Sequence, residues 1–355
     1  MATTTTIPFP TPARATLAAA ALALLASAAQ AQSSVQAYGL IDLNAGSFQN
    51  AGGTKIKRVN SGDLSTSYLG FKGREDLGGG LSASFALDGF FLGDSGGAGR
   101  VPGVDAFWAR NANVSLSGGF GTLKLGRQGP PLFVSTLIFN SLGDSFGWSP
   151  SIRQYYSAPY GTPLVGDSGW NNAVGYTTPA FAGATATVLV AAGEGAATAK
   201  GPNIGANVVY FGGPLGFTVA AQKVQAQGVL GRGIAAFPGF DSQTAFQVGA
   251  SYNLGFAKLF AQYGKISTDA TADVDSTILN LSASIPVGAG SFRLAYGSSK
   301  ITTQGASTKP KSTILTAGYV HGLSKRTELY GMFMQDKFTG LSSGTSVAGG
   351  IRHTF

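Results

Sequence analysis

From Val35 onward, apolar and polar residues alternate in short runs. "SFRLAYGS" sets Phe292, Leu294 and Tyr296 against Ser291, Arg293 and Ala295, and "GTLKLG" sets Leu123 and Leu125 against Thr122 and Lys124. A period of two is that of a strand, whose successive side chains leave opposite faces. Sixteen such segments run from "VQAYGLIDL" to "SVAGGIRHTF", a spacing that fits tilted strands of ~10 residues with their loops. One of them, "STILTAGYV", carries mild side chains on both parities and does not reveal its faces. In the last, Val347, Gly349, Ile351, His353 and Phe355 share one parity, so the strand runs to the final residue, where soluble domains usually fray.

The connections alternate in length. Tight ones such as "EDLGGG", "SGGFG", "FGGPLG" and "PVGAG" are separated by long polar ones at 44–63, 93–107, 128–170, 191–203, 223–242, 265–275, 299–311 and 336–346. This describes an up-and-down antiparallel meander. A Lys or Arg on the inner face of a soluble sandwich is costly to bury, whereas a closed barrel with lipid outside and water inside accommodates the pattern. The predicted fold is therefore all-β, a sixteen-stranded antiparallel transmembrane β-barrel. Closure also explains the terminus: the last strand pairs with the first, and Phe355 falls where interfacial aromatic girdles lie.

The N-terminus fits export. After Arg14 comes the uncharged run "ATLAAAALALLASAAQA", closed by Ala29-Gln30-Ala31; this reads as a signal peptide over 1–31, leaving 32–355 as the barrel. Removal of Arg14 leaves 23 basic against 16 acidic residues, a net charge of +7. Charged residues make up 11% of the chain, less than half the roughly 25% usual in soluble domains. There is no cysteine, so neither disulfides nor thiolate metal sites are available.

The ordered motifs "SSVQAYGLIDLNAG", "SYLGFKGREDLGGGLSASF", "NVSLSGGFGTLKLGRQ", "SIPVGAGSFRLAYG", "GLSKRTELYGMF" and the terminal "GIRHTF" resemble the Gram-negative general porins of beta-proteobacteria across nearly the whole mature chain. The resemblance implies a homotrimer in the outer membrane, in contact with its lipid and lipopolysaccharide, that passes ions and small hydrophilic solutes by passive diffusion. It also implies that Phe355 is part of the signal read by the barrel-assembly machinery, and that the third outer loop folds inward to narrow the pore. Segment 128–170 is the candidate loop; Val134, Leu137, Ile138 and Leu142 are spaced i, i+3, i+4, i+8 and predict a short helix within it.

Charged side chains at the narrowest point set the selectivity of such a pore. By parity Lys72, Lys124, Arg293 and Arg352 face the lumen. Arg110 and Arg127 match the family's basic ladder by motif, but strict alternation groups Arg110 with Val114 and Leu116, and Arg127 with Leu123 and Leu125. Either a bulge shifts the phase, or the two lie above the lipid band. Two ladder positions that carry Arg in relatives hold Tyr68 and Gly169 here. The loop contributes Arg153 and the acids Asp144 and Asp167, and Asp42 is the candidate acid on the wall. This balance predicts a mild anion preference.

Nothing points to catalysis, a metal site, a cofactor or nucleic acid. His321 and His353 form no convincing ligand set, no Ser or Asp stands beside a base, and the basic residues form no clustered stripe. The acidic "STDATADVDS" lacks the glycine of a calcium loop. A second reading, a substrate-selective channel for sugars or organic acids, requires an aromatic track in the lumen; Tyr68, Trp148, Tyr155, Tyr156, Tyr160 and Trp170 are its candidates.

Overall fold

A computed structural model describes residues 34–101, 103–157, 164–193, 201–226 and 237–355; the signal-peptide segment and Tyr160 lie outside the described residues. The strands are β1 (Ser34–Phe48), β2 (Ile56–Ser61), β3 (Tyr68–Gly78), β4 (Leu81–Phe90), β5 (Asn111–Gly118), β6 (Gly121–Arg127), β7 (Ala173–Thr177), β8 (Ala184–Ala191) and β9 (Asn203–Gly212). They continue as β10 (Leu215–Gln225), β11 (Ser242–Asn253), β12 (Lys258–Asp269), β13 (Val274–Val287), β14 (Gly290–Thr303), β15 (Lys311–Gly322), β16 (Thr327–Phe338) and β17 (Gly344–Thr354). Two short helices, α1 (Pro131–Ile138) and α2 (Pro150–Tyr156), lie between β6 and β7.

All strands join one antiparallel sheet that closes on itself through β1 and β17, with Leu40 opposite Thr354 and Ser47 opposite Val347. Phe355 extends this ladder by one residue: its amide donates to the Gly39 carbonyl and the Gly39 amide to its carbonyl, both at 3.1 Å. The described segments number seventeen, yet the barrel has sixteen strand positions. β2 pairs with the outer half of β1 and β3 with its inner half, so these two segments share one position. The sequence "IKRVNS" of β2 is charged and barely alternates, which is why it reads as loop.

Parity sorts the wall. Leu123, Leu125, Phe217, Leu281 and Leu294 are exposed on the outer face, while Gln243, Gln247, Gln262, Asn280 and Thr316 are buried on the inner one. "STILTAGYV" is resolved too: Ile314 is buried and Leu315 exposed. Both helices pack on the inner face, α1 against β8 to β11 and α2 against β13 to β15. A short segment touching so many successive strands on one face of a closed sheet lies within the ring.

The inner wall is shaped for that segment. The Gln262 side-chain amide donates to the Thr136 carbonyl (3.0 Å), the Thr316 hydroxyl to the Trp148 carbonyl (2.7 Å) and the Ser141 hydroxyl to the Leu294 carbonyl (3.2 Å). Leu142 and Trp148 share an apolar cluster with Ile314, Met332 and Met334 of β15 and β16; methionine adapts well to irregular gaps. Two inward glycines complete the seat. A Cβ on Gly264 would overlap the Tyr155 hydroxyl, and one on Gly297 would lie 2.6 Å from Pro150 Cβ. Side chains at these two positions would hold α2 off the wall.

Candidate functional site: a charged passage beside the inner segment

Between α1 and strands β5 to β8 lies a cavity of about 480 Å³. Its wall side carries Arg110, Asn111, Thr122 and Lys124; its loop side carries Phe133, Val134, Leu137, Asp144 and Phe146. Seven cations are candidates for the pore lining; Arg110 and Lys124 border this cavity and the other five do not, and the structure divides the seven into paired and unpaired groups.

Arg110 immediately precedes β5, before the alternation begins. Its amide donates to the Asp88 carbonyl (3.1 Å), its guanidinium to the Asp88 carboxylate (2.9 Å), and the guanidinium lies over the Tyr68 ring at 3.9 Å. It therefore faces inward without a bulge. Arg127 follows Gly126, whose φ of +111 resets the phase at the strand end. The Arg127 guanidinium donates to the Gly169 carbonyl (3.0 Å) and to the Asn171 side chain (2.7 Å), and it approaches Asp167 at 3.5 Å. A Cβ on Gly169 would lie 2.9 Å from Arg127 Nη2. The two positions where the family resemblance led to the expectation of Arg thus serve the arginines present: Tyr68 as a stacking face, Gly169 as room for a guanidinium.

Two more guanidiniums are matched by acids. Arg153 on α2 approaches Asp336 of β16 at 3.5 Å and donates to the Asn50 side chain at 2.8 Å. Arg352 donates through Nε to Glu328 (3.0 Å) and through Nη1 to the Ser65 hydroxyl (2.7 Å). The other three have no carboxylate partner among the described residues. Lys72 lies 4.4 Å above the Tyr38 ring, Arg293 donates only to the Ser141 carbonyl (2.9 Å), and Lys124 faces the cavity.

The acids are similarly divided. Asp42 is fully buried and its oxygens are occupied: the amides of Leu64 (2.7 Å) and Ser65 (2.9 Å) and the Tyr330 hydroxyl (2.6 Å) donate to it. It anchors segment 62–67 to the wall and presents no charge to an open lumen. Asp144 borders the cavity and accepts from the Ser65 hydroxyl at 2.9 Å. At the outer rim, Arg100 bridges Asp105 and Asp167, each at 2.9 Å. Burial pushes the Asp167 carboxyl up, but the hydrogen bonds and charge of Arg100 outweigh it and hold the group down at about 2.

The aromatic track is mostly closed. Trp148, Tyr155 and Trp170 are buried in the packing of the inner segment; Tyr68 and Tyr156 keep partial exposure. Of the partner acids, sequence reading named Asp167 but not Asp88, Asp336 or Glu328. Asp88 shares the parity of Ser82 and Ser84 and was readable as inward. Asp336 was hidden, because it shares the parity of Met332 and Met334, which looks like a lipid face.

The family model described as Gram-negative porin matches residues 18–341. The chain is 35% identical to outer membrane porin protein 32 of Delftia acidovorans over 352 residues, covering 91% of this chain and 95% of that protein. Among solved structures, the anion-selective porin from Comamonas acidovorans superposes with a TM-score of 0.74 at 30% identity, covering 91% of this chain and all of that one. The trimer form of OmpT from Vibrio cholerae superposes at 0.67 with 15% identity, covering 91% and 99%, a likeness of fold alone.

Proposed function

The chain belongs to the Gram-negative porin family, and from that premise we propose that its diffusion path runs through the passage beside α1 and favours anions mildly. It is a channel of the outer membrane and not an enzyme. The observation that carries the proposed preference is the charge imbalance among the candidates: Lys72, Lys124 and Arg293 lack carboxylate partners among the described residues, while Asp144 is the acid bordering the cavity. Acids compensate the other four candidate cations, so three of the seven carry the field and the preference is mild. Segment 128–170 acts as the constriction, with Lys124 and Arg110 on its opposite wall.

The assembly reading follows the same premise. The barrel works as a homotrimer seated in outer-membrane lipid and lipopolysaccharide, exported through a signal at 1–31 and inserted by the barrel-assembly machinery, which reads Phe355. Planar-bilayer recording of the refolded protein in a tenfold KCl gradient tests the ionic reading. The reversal potential should lie modestly on the chloride side; a pore that prefers potassium overturns it.

A further inference from the structure

Helix α1 sits in a water-filled barrel with its polar side turned to protein. Ser135 and Thr136 are 0% exposed, whereas Val134 and Ile138 are 37% and 38% exposed. The polar pair is held by the wall: the Asn207 side chain donates to Ser135 Oγ (3.0 Å), Ser135 Oγ lies 3.0 Å from Thr218 Oγ1, and the Gln247 side chain donates to Thr136 Oγ1 (3.1 Å). A helix on a soluble protein turns the other way, apolar side in. Here the inner wall offers polar partners and takes the hydroxyls together with Leu132, while Val134, Leu137 and Ile138 turn toward the open passage. Phe133 and Phe146 extend that surface, and their rings meet Tyr156 edge-on at 5.1 and 6.4 Å. The same cavity holds Lys124, a cation with no carboxylate partner among the described residues, on the opposite wall.

An apolar strip facing an unpaired ammonium across about 480 Å³ matches one class of solute. We propose that this passage binds amphipathic organic anions, carboxylates that bear a ring or a short hydrocarbon chain, and favours them over small hydrophilic anions of equal charge. The carboxylate faces Lys124 and Arg110, while the hydrocarbon part covers Val134, Leu137 and Phe133. Charge alone ranks anions by valence and size. The apolar strip adds a gain proportional to the hydrocarbon area removed from water, each methylene-sized increment being worth roughly fourfold in an equilibrium constant. The inference rests on the reading of this cavity as the conduction path.

Its test uses the refolded full barrel in a planar bilayer, with chloride conductance as the internal reference. Benzoate should halve the chloride current at a concentration roughly fifteen-fold or more below that of acetate, two or more methylene equivalents being buried. Benzylammonium, with the same ring and the opposite charge, should show no such block. Val134→Thr keeps the side-chain volume and replaces a methyl by a hydroxyl; with Leu137→Gln it should bring benzoate toward acetate. Lys124→Gln should weaken the block by both anions. Equal block by benzoate and acetate overturns the inference, as does a benzoate block indifferent to Val134 and Leu137, or one matched by benzylammonium. The comparison of benzoate with acetate needs no variant, so a misfolded mutant leaves it intact. Failure of the conduction-path reading looks different, because the KCl reversal potential is then unchanged by Lys124→Gln.

Discussion

Replacing Lys124 by Gln removes one unpaired charge from the passage, and the size of the effect can be worked from its dimensions. A sphere of about 480 Å³ has a radius of about 5 Å, at which two unit charges in a water-like medium interact by about 0.8 kcal/mol. At 0.1 M salt the Debye length is about 10 Å, which leaves about 0.5 kcal/mol; at 1 M it is about 3 Å, which leaves about 0.2 kcal/mol. An anion gains that energy and a cation loses it, so their permeability ratio responds to twice the value. Lys124→Gln should therefore lower the chloride-to-potassium ratio about fivefold near 0.1 M and about twofold near 1 M. The assay is the reversal potential in tenfold KCl gradients centred on the two concentrations, for protein whose circular dichroism matches wild type. An unchanged ratio, or a shift of the same size at both salt levels, refutes the placement of Lys124 as a free charge in the conduction path. Arg127→Gln combined with Asp167→Asn is the contrast, since it removes both charges of a balanced pair, and its effect on the ratio should be smaller than that of Lys124→Gln.

Three further outcomes follow from the packing. Deleting Phe355 removes two hydrogen bonds of the closing ladder and should lower the yield of assembled barrel while export to the periplasm continues; immunoblots of membrane and periplasmic fractions separate the two effects. Asp42→Leu leaves the buried amides of Leu64 and Ser65 without an acceptor, at a cost of about 1–3 kcal/mol for each, and should lower the thermal midpoint and open segment 62–67 to protease. The rim cluster has a pH signature: Asp167 is held down at about 2 from 3.8, so its contribution is present above about pH 4 and lost as pH falls through about 2. Protease nicking of the outer loops should be flat from pH 7 to about pH 4 and rise below it, and Asp167→Asn should raise nicking already at neutral pH.

Alternation alone carried the strand count, the antiparallel order and closure through the last residue, and it is the ground on which Lys72, Lys124, Arg293 and Arg352 are assigned to the lumen. These are local properties: a side chain's face in a strand depends only on its place in a period of two. A helix in the inner segment was readable from Val134, Leu137, Ile138 and Leu142, but it ends at Ile138 and Leu142 lies beyond it. Only the tertiary structure decided which way that helix turns, because the choice depends on the polarity of the wall it meets, and glutamines from β11 and β12 make that wall polar. Charge pairing was likewise out of reach of the sequence. Arg153 and Asp336 are separated by 183 positions, and Arg110 and Arg127 escape strict alternation at strand ends, where Gly126 adopts a left-handed φ. Parity tells which face a charge occupies. Whether that charge stays free for a passing ion is settled by register across the sheet and by the segment folded within the barrel.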